Sequence, residues 1–311
     1  MYRLAAASLA LLAIASPANP QRRAPPFTVV ETGQAYGRLD QAVAAIGSGR
    51  GTIRIAPGRY RDCAVQEAGR ITFVAAEAGT AIFDRAVCED KATLVLRGAG
   101  ARVDGLVFMN NLVSDGNGAG IRIEKGNLEV ANAMFLDNQC GILSASDPNG
   151  VITVDRSTFA GLGKDPTGEG AHGIYIGDYG TLKVTRSRFE RGTGGHYLKS
   201  RAPRVEIIDN SFDDSQGSHT NYMIDLSNGA SGRIAGNSFV QGPNKDNYST
   251  MISVAPEGQD NSSAGLVVEN NRAWLAPAFK HSTTLVGNWS HDRVTVRNNQ
   301  LPPRITPLAA R

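Results

Sequence analysis

Gly120-Ile121-Arg122-Ile123, Gly141-Ile142-Leu143, His172-Gly173-Ile174-Tyr175, His196-Tyr197-Leu198-Lys199-Ser200-Arg201, Tyr222-Met223-Ile224-Asp225, Met251-Ile252-Ser253: one phrase recurs along the chain. Its inward Ile or Leu falls at 121, 142, 174, 198, 224 and 252, in steps of 21, 32, 24, 26 and 28 residues. A unit this short cannot bury its own apolar face, so it must stack on its neighbours. The variation in step length belongs to surface loops between strands. Stacked strands lie about 4.8 Å apart, so a column of outward residues becomes a row of adjacent chemical groups.

Two further columns support the register. Phe135, Phe159, Phe189, Phe212 and Phe239 each close a second strand and read as an internal aromatic stack. Asn210, Asn237, Asn270 and Asn298 recur near one turn and read as a ladder satisfying turn backbone. Upstream, Gly37 to Ile46 has helical spacing, with Leu39, Val43 and Ile46 on one face, suited to plug the open end of a solenoid. The expected fold is all-β: a single-domain right-handed parallel β-helix with a short N-terminal capping helix. The domain is expected over residues 28–300, with 28–62 as cap and first strands and 301–311 as a loose C-terminal tail.

Composition narrows the class. The chain has 311 residues, sparse aromatics, 35 glycines and a net charge of +3. That suits a turn-rich β protein, and no Lys/Arg block suggests nucleic acid. Arg3, the apolar run from Leu4 to Ile14, and Ser16-Pro17-Ala18 read as a secretory signal over residues 1–18, followed by a linker over 19–27. The run is too short to span a bilayer, so no stable membrane insertion is expected. The mature protein is expected to be exported, to the periplasm or outside, and to be monomeric. Cys63 and Cys88 lie 25 residues apart, about one coil; on one column, in an oxidising compartment, they would form a disulfide rather than two buried thiols. Cys140 reads as a small buried filler.

The runs Tyr-Arg-Asp-Cys-Ala-Val (60–65), Gly-Asn-Gly-Ala-Gly-Ile-Arg (116–122), His172-Gly173-Ile174-Tyr175, His196 to Ala202 and Asp225 to Gly229 resemble exported bacterial right-handed β-helix proteins. Their architecture is similar to the pectate-lyase-like superfamily. The resemblance covers nearly the whole mature chain. It implies the fold; activity is left open, because that superfamily holds lyases, hydrolases, epimerases, esterases and non-enzymatic fibres and adhesins.

Aligned on the inward Ile or Leu, the next residue points outward. That column reads Arg122, Leu143, Tyr175, Lys199, Asp225, Ser253. Two residues before the apolar position stand His172, His196 and Tyr222; two after the outward column stands Arg201. Three consecutive coils thus bring together His172, Tyr175, His196, Lys199, Arg201 and Asp225 as candidate catalytic groups. Arg122, Tyr197, Tyr222, Asn228 and Glu257 read as substrate-binding groups on the same face. The alternative is a solvated face of ordinary ion pairs with stacked histidines.

A long face with a cationic centre suits an acidic polysaccharide. β-Elimination at a uronic acid needs a cation on the carboxylate, a base at C5 and an acid at the leaving oxygen. Arg201 suits the first through its planar fork. Lys199, His172 or His196 could be the base, and Tyr175 the acid. The same fold could carry a C5-epimerase, or a glycoside hydrolase using Asp225 and Glu257. A non-catalytic carbohydrate-binding protein would instead use Tyr175, Tyr197 and Tyr222 as platforms. No cofactor is expected. Ca²⁺ finds little support with one Asp in the row, and His172, His196 and Asp225 are the one conceivable metal set.

Overall fold

A computed structural model describes residues 24–168 and 170–311. The expected signal over 1–18 lies outside the described residues, as do 19–23 of the expected linker. The linker ends sooner than expected: Phe27 is already buried in the strand Phe27–Val29 and pairs with Tyr36 and Ile55.

Each coil contributes one strand to each of three sheets, of twelve, nine and ten strands. After the antiparallel start, successive coils pair in parallel at every step, giving a right-handed parallel β-helix. The first sheet takes Arg50–Ile55, Arg70–Ala75 and Gly100–Asp104 and ends at Thr295–Arg297. The second takes Ala81–Asp84, Leu106–Met109 and Met134–Leu136 and ends at Arg272–Leu275. The third runs through Ala119–Ile123, Cys140–Ser144, Ile174–Ile176, Leu198–Ser200, Ile224–Leu226 and Thr250–Val254. Apolar residues alternate with polar ones along most strands of the first sheet, whereas strands of the third such as Cys140–Ser144 and Thr250–Val254 are buried throughout; the inward residues of all three sheets fill one continuous core.

Within that core the second sheet carries the aromatic column. Phe135, Phe159, Phe189 and Phe212 stack with centroids 4.7–4.8 Å apart and near-parallel planes, and the stack extends through Phe108 to Phe83. Such stacking adds roughly 0.5–1.5 kcal/mol per pair to area burial. It needs a gap opposite: a Cβ on Gly141 would stand 2.7 Å from the Phe159 ring.

The turn ladder between the first and second sheets has Asn210 and Asn237 as rungs, as expected, and corrects Asn270 and Asn298 by one residue. Asn270 and Asn298 are in the left-handed region, φ 56° and 54°, as are Asn132, Arg156, Arg186 and Asp209 at the same bend. The residue after Arg156, Arg186, Asp209, Asn270 and Asn298 is the rung. The side-chain oxygens of Ser187, Asn210, Asn237, Asn271 and Asn299 each accept the backbone N–H of the rung one coil earlier, at 2.9–3.1 Å. An Asn side chain also donates back to the earlier coil, as Asn237 does to the Ile207 carbonyl at 2.8 Å.

The helix spans Leu39–Ile46, with Leu39, Ala42 and Val43 buried over the first coil. Its first free N–H, on Leu39, donates to Asp62 at 2.9 Å. Cys63 and Cys88 are bridged, with Cα atoms 5.6 Å apart. They do not share a strand column: Cys63 precedes the strand Ala64–Gln66, and Cys88 lies in the turn before Ala92–Leu96. Cys140 is buried and unbridged. The C-terminal residues are not a loose tail. Ile305–Ala310 is a strand, paired in parallel with Thr283–Asn288, and forms the last edge of the third sheet. Pro307 sits within it.

Candidate active site

The third sheet holds the columns in the register expected of them. Ile174 pairs with Leu198 and Leu198 with Ile224; Tyr175 pairs with Lys199 and Lys199 with Asp225. Three neighbouring strands therefore project a phenol, an ammonium and a carboxylate side by side.

Asp225 is the floor of the cluster. It is 1% exposed, and the Ser227 and Ser253 hydroxyls each donate to it at 2.7 Å, one to each oxygen. Lys199 Nζ lies 3.5 Å from Oδ2, and His196 Nε2 lies 3.8 Å from the same oxygen. Lys199 is itself nearly enclosed, and its ammonium is paired with Glu257 Oε1. Glu257 Oε2 takes Arg201 Nη2 at 2.6 Å. The burial that would raise the Glu257 carboxyl is outweighed by the hydrogen bonds and charges of Lys199 and Arg201, which hold it below its ordinary range.

Arg201 is the hub. Its Nη1 donates to Asn228 Oδ1, whose amide donates on to Asp260, and its Nε donates to the Tyr175 hydroxyl oxygen at 3.4 Å. The Lys199 ammonium stands 5.5 Å from the centre of the Tyr175 ring and the Arg201 guanidinium 5.9 Å. Because the phenol oxygen accepts from Arg201, its own proton is free to point elsewhere.

The two histidine rings are tilted by 53° with centroids 5.0 Å apart, and His172 meets Tyr175 edge-on. His172 Nδ1 accepts the backbone N–H of His196 at 3.0 Å. A backbone amide can only donate, so the neutral ring carries its proton on Nε2. Burial first, then the charges of His196 and Lys199, keep His172 well below the ordinary imidazole range. His196 is pushed down to about 3, chiefly by burial and then by Lys199. Its Nδ1 is sealed from solvent and has no partner.

Not every sequence-expected residue reaches this cluster. Tyr197 is a correction: the chain bends after His196 and turns the ring into the core, where its hydroxyl donates to Asp214 at 2.8 Å. It cannot be a platform for ligand. Tyr222 packs between His196 and Trp289, almost fully buried, and its hydroxyl accepts from Asn247 at 2.7 Å. Arg122 is three strands from Lys199 in the same column. A hollow of about 400 Å³ connects it, past Leu143, Ser144 and Gly177, to Tyr175. A second hollow, of about 350 Å³, is lined by His172, His196, His219, Asn221 and Asp246.

Sequence reasoning missed the supports. Ser227 and Ser253, which close Asp225, were visible in the columns as ordinary polar residues. The buried Lys245–Asp214 pair, 3.0 Å apart and bonded to Tyr197 and Thr220, lies in loops, where periodicity is silent. In the conceivable metal set both Asp225 oxygens accept from serines and His172 Nδ1 accepts from backbone. Among the described residues no three His, Cys, Asp or Glu gather as a ligand group. Nor, among them, is any helix long and apolar enough to cross a membrane.

No protein-family model matches the chain, and no curated protein matches it. Among solved structures it is similar to one described as the PL6 family alginate lyase AlyGC, with a TM-score of 0.49 and 14% identity, over 83% of this chain and 40% of that one. It is also similar to ORF18 of Geobacillus virus E2, with a TM-score of 0.46 and 12% identity, over 87% of this chain and 56% of that one. The chain thus spans less than half of the first structure and little more than half of the second.

Proposed function

We propose that the chain is an exported polysaccharide lyase that cleaves a uronic-acid-containing chain by β-elimination. One observation carries the reading: Lys199 and Arg201 converge on a single carboxylate beside the free face of a phenol. Those are the three groups that elimination at a uronate requires. Arg201 takes the substrate carboxylate and stabilises the charge that develops as C5 is deprotonated. Lys199 is the general base that takes the C5 proton. The electron pair forms the C4–C5 double bond, the C4–O bond breaks, and the Tyr175 proton goes to the leaving oxygen. His172 is not the base, because its one lone pair is held by the His196 amide. His196 Nε2 faces Asp225 at 3.8 Å and its ring packs on Tyr222, so its place is to position those two groups.

A hydrolase built on Asp225 and Glu257 has less support. Asp225 is closed off by two serines and Lys199, so it cannot reach a glycosidic bond. Export accords with the Cys63–Cys88 bridge, since such bonds persist in oxidising compartments.

The test is to incubate the purified protein with a panel of acidic polysaccharides. Elimination yields an unsaturated, ultraviolet-absorbing product end; reducing ends without that band would mean hydrolysis. Lys199→Ala and Tyr175→Phe should each abolish the band while polymer binding persists. Binding with no product from any uronate polymer would overturn the reading in favour of a carbohydrate-binding protein.

A further inference from the structure

Glu257 differs from Lys199 and Asp225 in its origin. Lys199 and Asp225 come from strands, whereas Glu257 comes from the loop that leaves Thr250–Val254 through Ala255, whose φ is 59°. The loop backbone is pinned, since the N–H groups of Glu257 and Gly258 both donate to the Ser227 carbonyl, at 3.0 and 3.2 Å. Only the side chain reaches back across the sheet, where its two oxygens divide between Lys199 and Arg201. The Glu257 side chain is 42% exposed and that of Lys199 8%. A ligand approaching this face therefore meets Glu257 first, with the cations behind it. A carboxylate shared by an ammonium and a guanidinium is also the arrangement by which proteins hold carboxylate ligands.

We propose that Lys199 and Arg201 form a carboxylate-binding subsite and that Glu257 fills it in the unliganded protein as an internal competitor. The proposal rests on the uronate reading above. A hexuronate restores both hydrogen bonds that Glu257 gives up, so the exchange leaves no cation bare. A neutral sugar offers hydroxyls alone and does not displace it. Departure of Glu257 needs only side-chain rotation about a fixed backbone. The cations stay in place without it, because Arg201 keeps Asn228 and Tyr175, and Lys199 keeps Asp225.

Binding of the monosaccharides glucuronate, galacturonate and mannuronate, which have no bond to cleave, tests this by calorimetry on the full-length protein. Each neutral parent hexose serves as the control ligand. Glu257→Gln and Glu257→Ala should bind at least one hexuronate about tenfold more tightly than the unmodified protein, the range that one charge-assisted hydrogen bond spans. Affinity for the neutral hexoses should not change. Unchanged or weaker hexuronate binding in both variants, with unfolding midpoints like that of the unmodified protein, would overturn the competitor role and leave Glu257 a clamp. The two readings fail separately. Hexuronate binding without any unsaturated product from polymers would retain the subsite and remove the lyase. Unsaturated product with no gain in the Glu257 variants would do the reverse.

Discussion

Lowering the pH should destabilise this protein through an imidazole that the fold cannot protonate. His196 is 9% exposed, its Nδ1 has no partner, and burial together with Lys199 holds it at about 3. In the unfolded chain a histidine titrates near 6.5. A folded value below the unfolded one means that the unfolded chain binds the extra proton. The contribution is therefore intact above about pH 6.5 and is lost progressively as the pH falls toward 3. Each unit in that window costs about 1.4 kcal/mol, so His196 alone removes roughly 2 kcal/mol between pH 6.5 and 5. His172, also held well down, acts in the same direction. Glu257, a carboxylate held low, loses its contribution only further into acid, below its unfolded value near 4.5. Slope between pH 7 and 5 thus belongs mainly to the imidazoles. Urea unfolding of the unmodified protein and of His196→Gln, followed by tryptophan fluorescence at pH 7, 6 and 5, measures the difference. The variant should be less stable at pH 7 but flatter with pH, by roughly 2 kcal/mol over the interval. Equal slopes in the two proteins would refute the reasoning, since they would mean that water and protons reach His196 in the fold.

Other perturbations follow from the same geometry. Phe189→Ala removes a ring stacked on both sides, at 4.8 and 4.7 Å, and should cost about 3–5 kcal/mol in urea unfolding; a loss below about 1 kcal/mol would show that the column repacks. Gly195→Ala should both lower the unfolding temperature and change the histidine titration seen by NMR. Gly195 has φ 56°, and an added Cβ would stand 1.9 Å from the Ala171 carbonyl and 2.6 Å from His172 Nδ1, so the His172–His196 contact must give way. Reducing the Cys63–Cys88 bridge opens a 25-residue loop and should cost about 3 kcal/mol, read as a lower unfolding temperature in reductant; an unchanged midpoint would mean that the N-terminal coils hold without it.

The register of the site could be read from the sequence because packing enforces it. A one-residue slip would turn Ile174, Leu198 and Ile224 outward, so the inward positions fix which residues face solvent. Periodicity failed where the strand rule ends. Tyr197 sits at a bend rather than in a strand, and there alternation no longer predicts direction. Asn270 and Asn298 missed the ladder by one position because two adjacent residues of the turn, one left-handed and one bonding, are both often Asn. The pairing of Lys199 with Glu257 rather than with Asp225 alone could not be read, since it depends on how a loop folds back. The final strand hid behind Pro302-Pro303, which reads as the end of ordered structure.

That final strand also bears on self-association. A solenoid finishing in an open row of amides is a template onto which the next molecule can add, coil upon coil, into a fibre. Among the described residues Ile305–Ala310 has a partner on one side only, and Pro307 deletes a donor in mid-row. At the opposite pole the helix Leu39–Ile46 covers the first coil. Among the described residues the two poles thus carry unrelated devices, one steric and one a missing hydrogen.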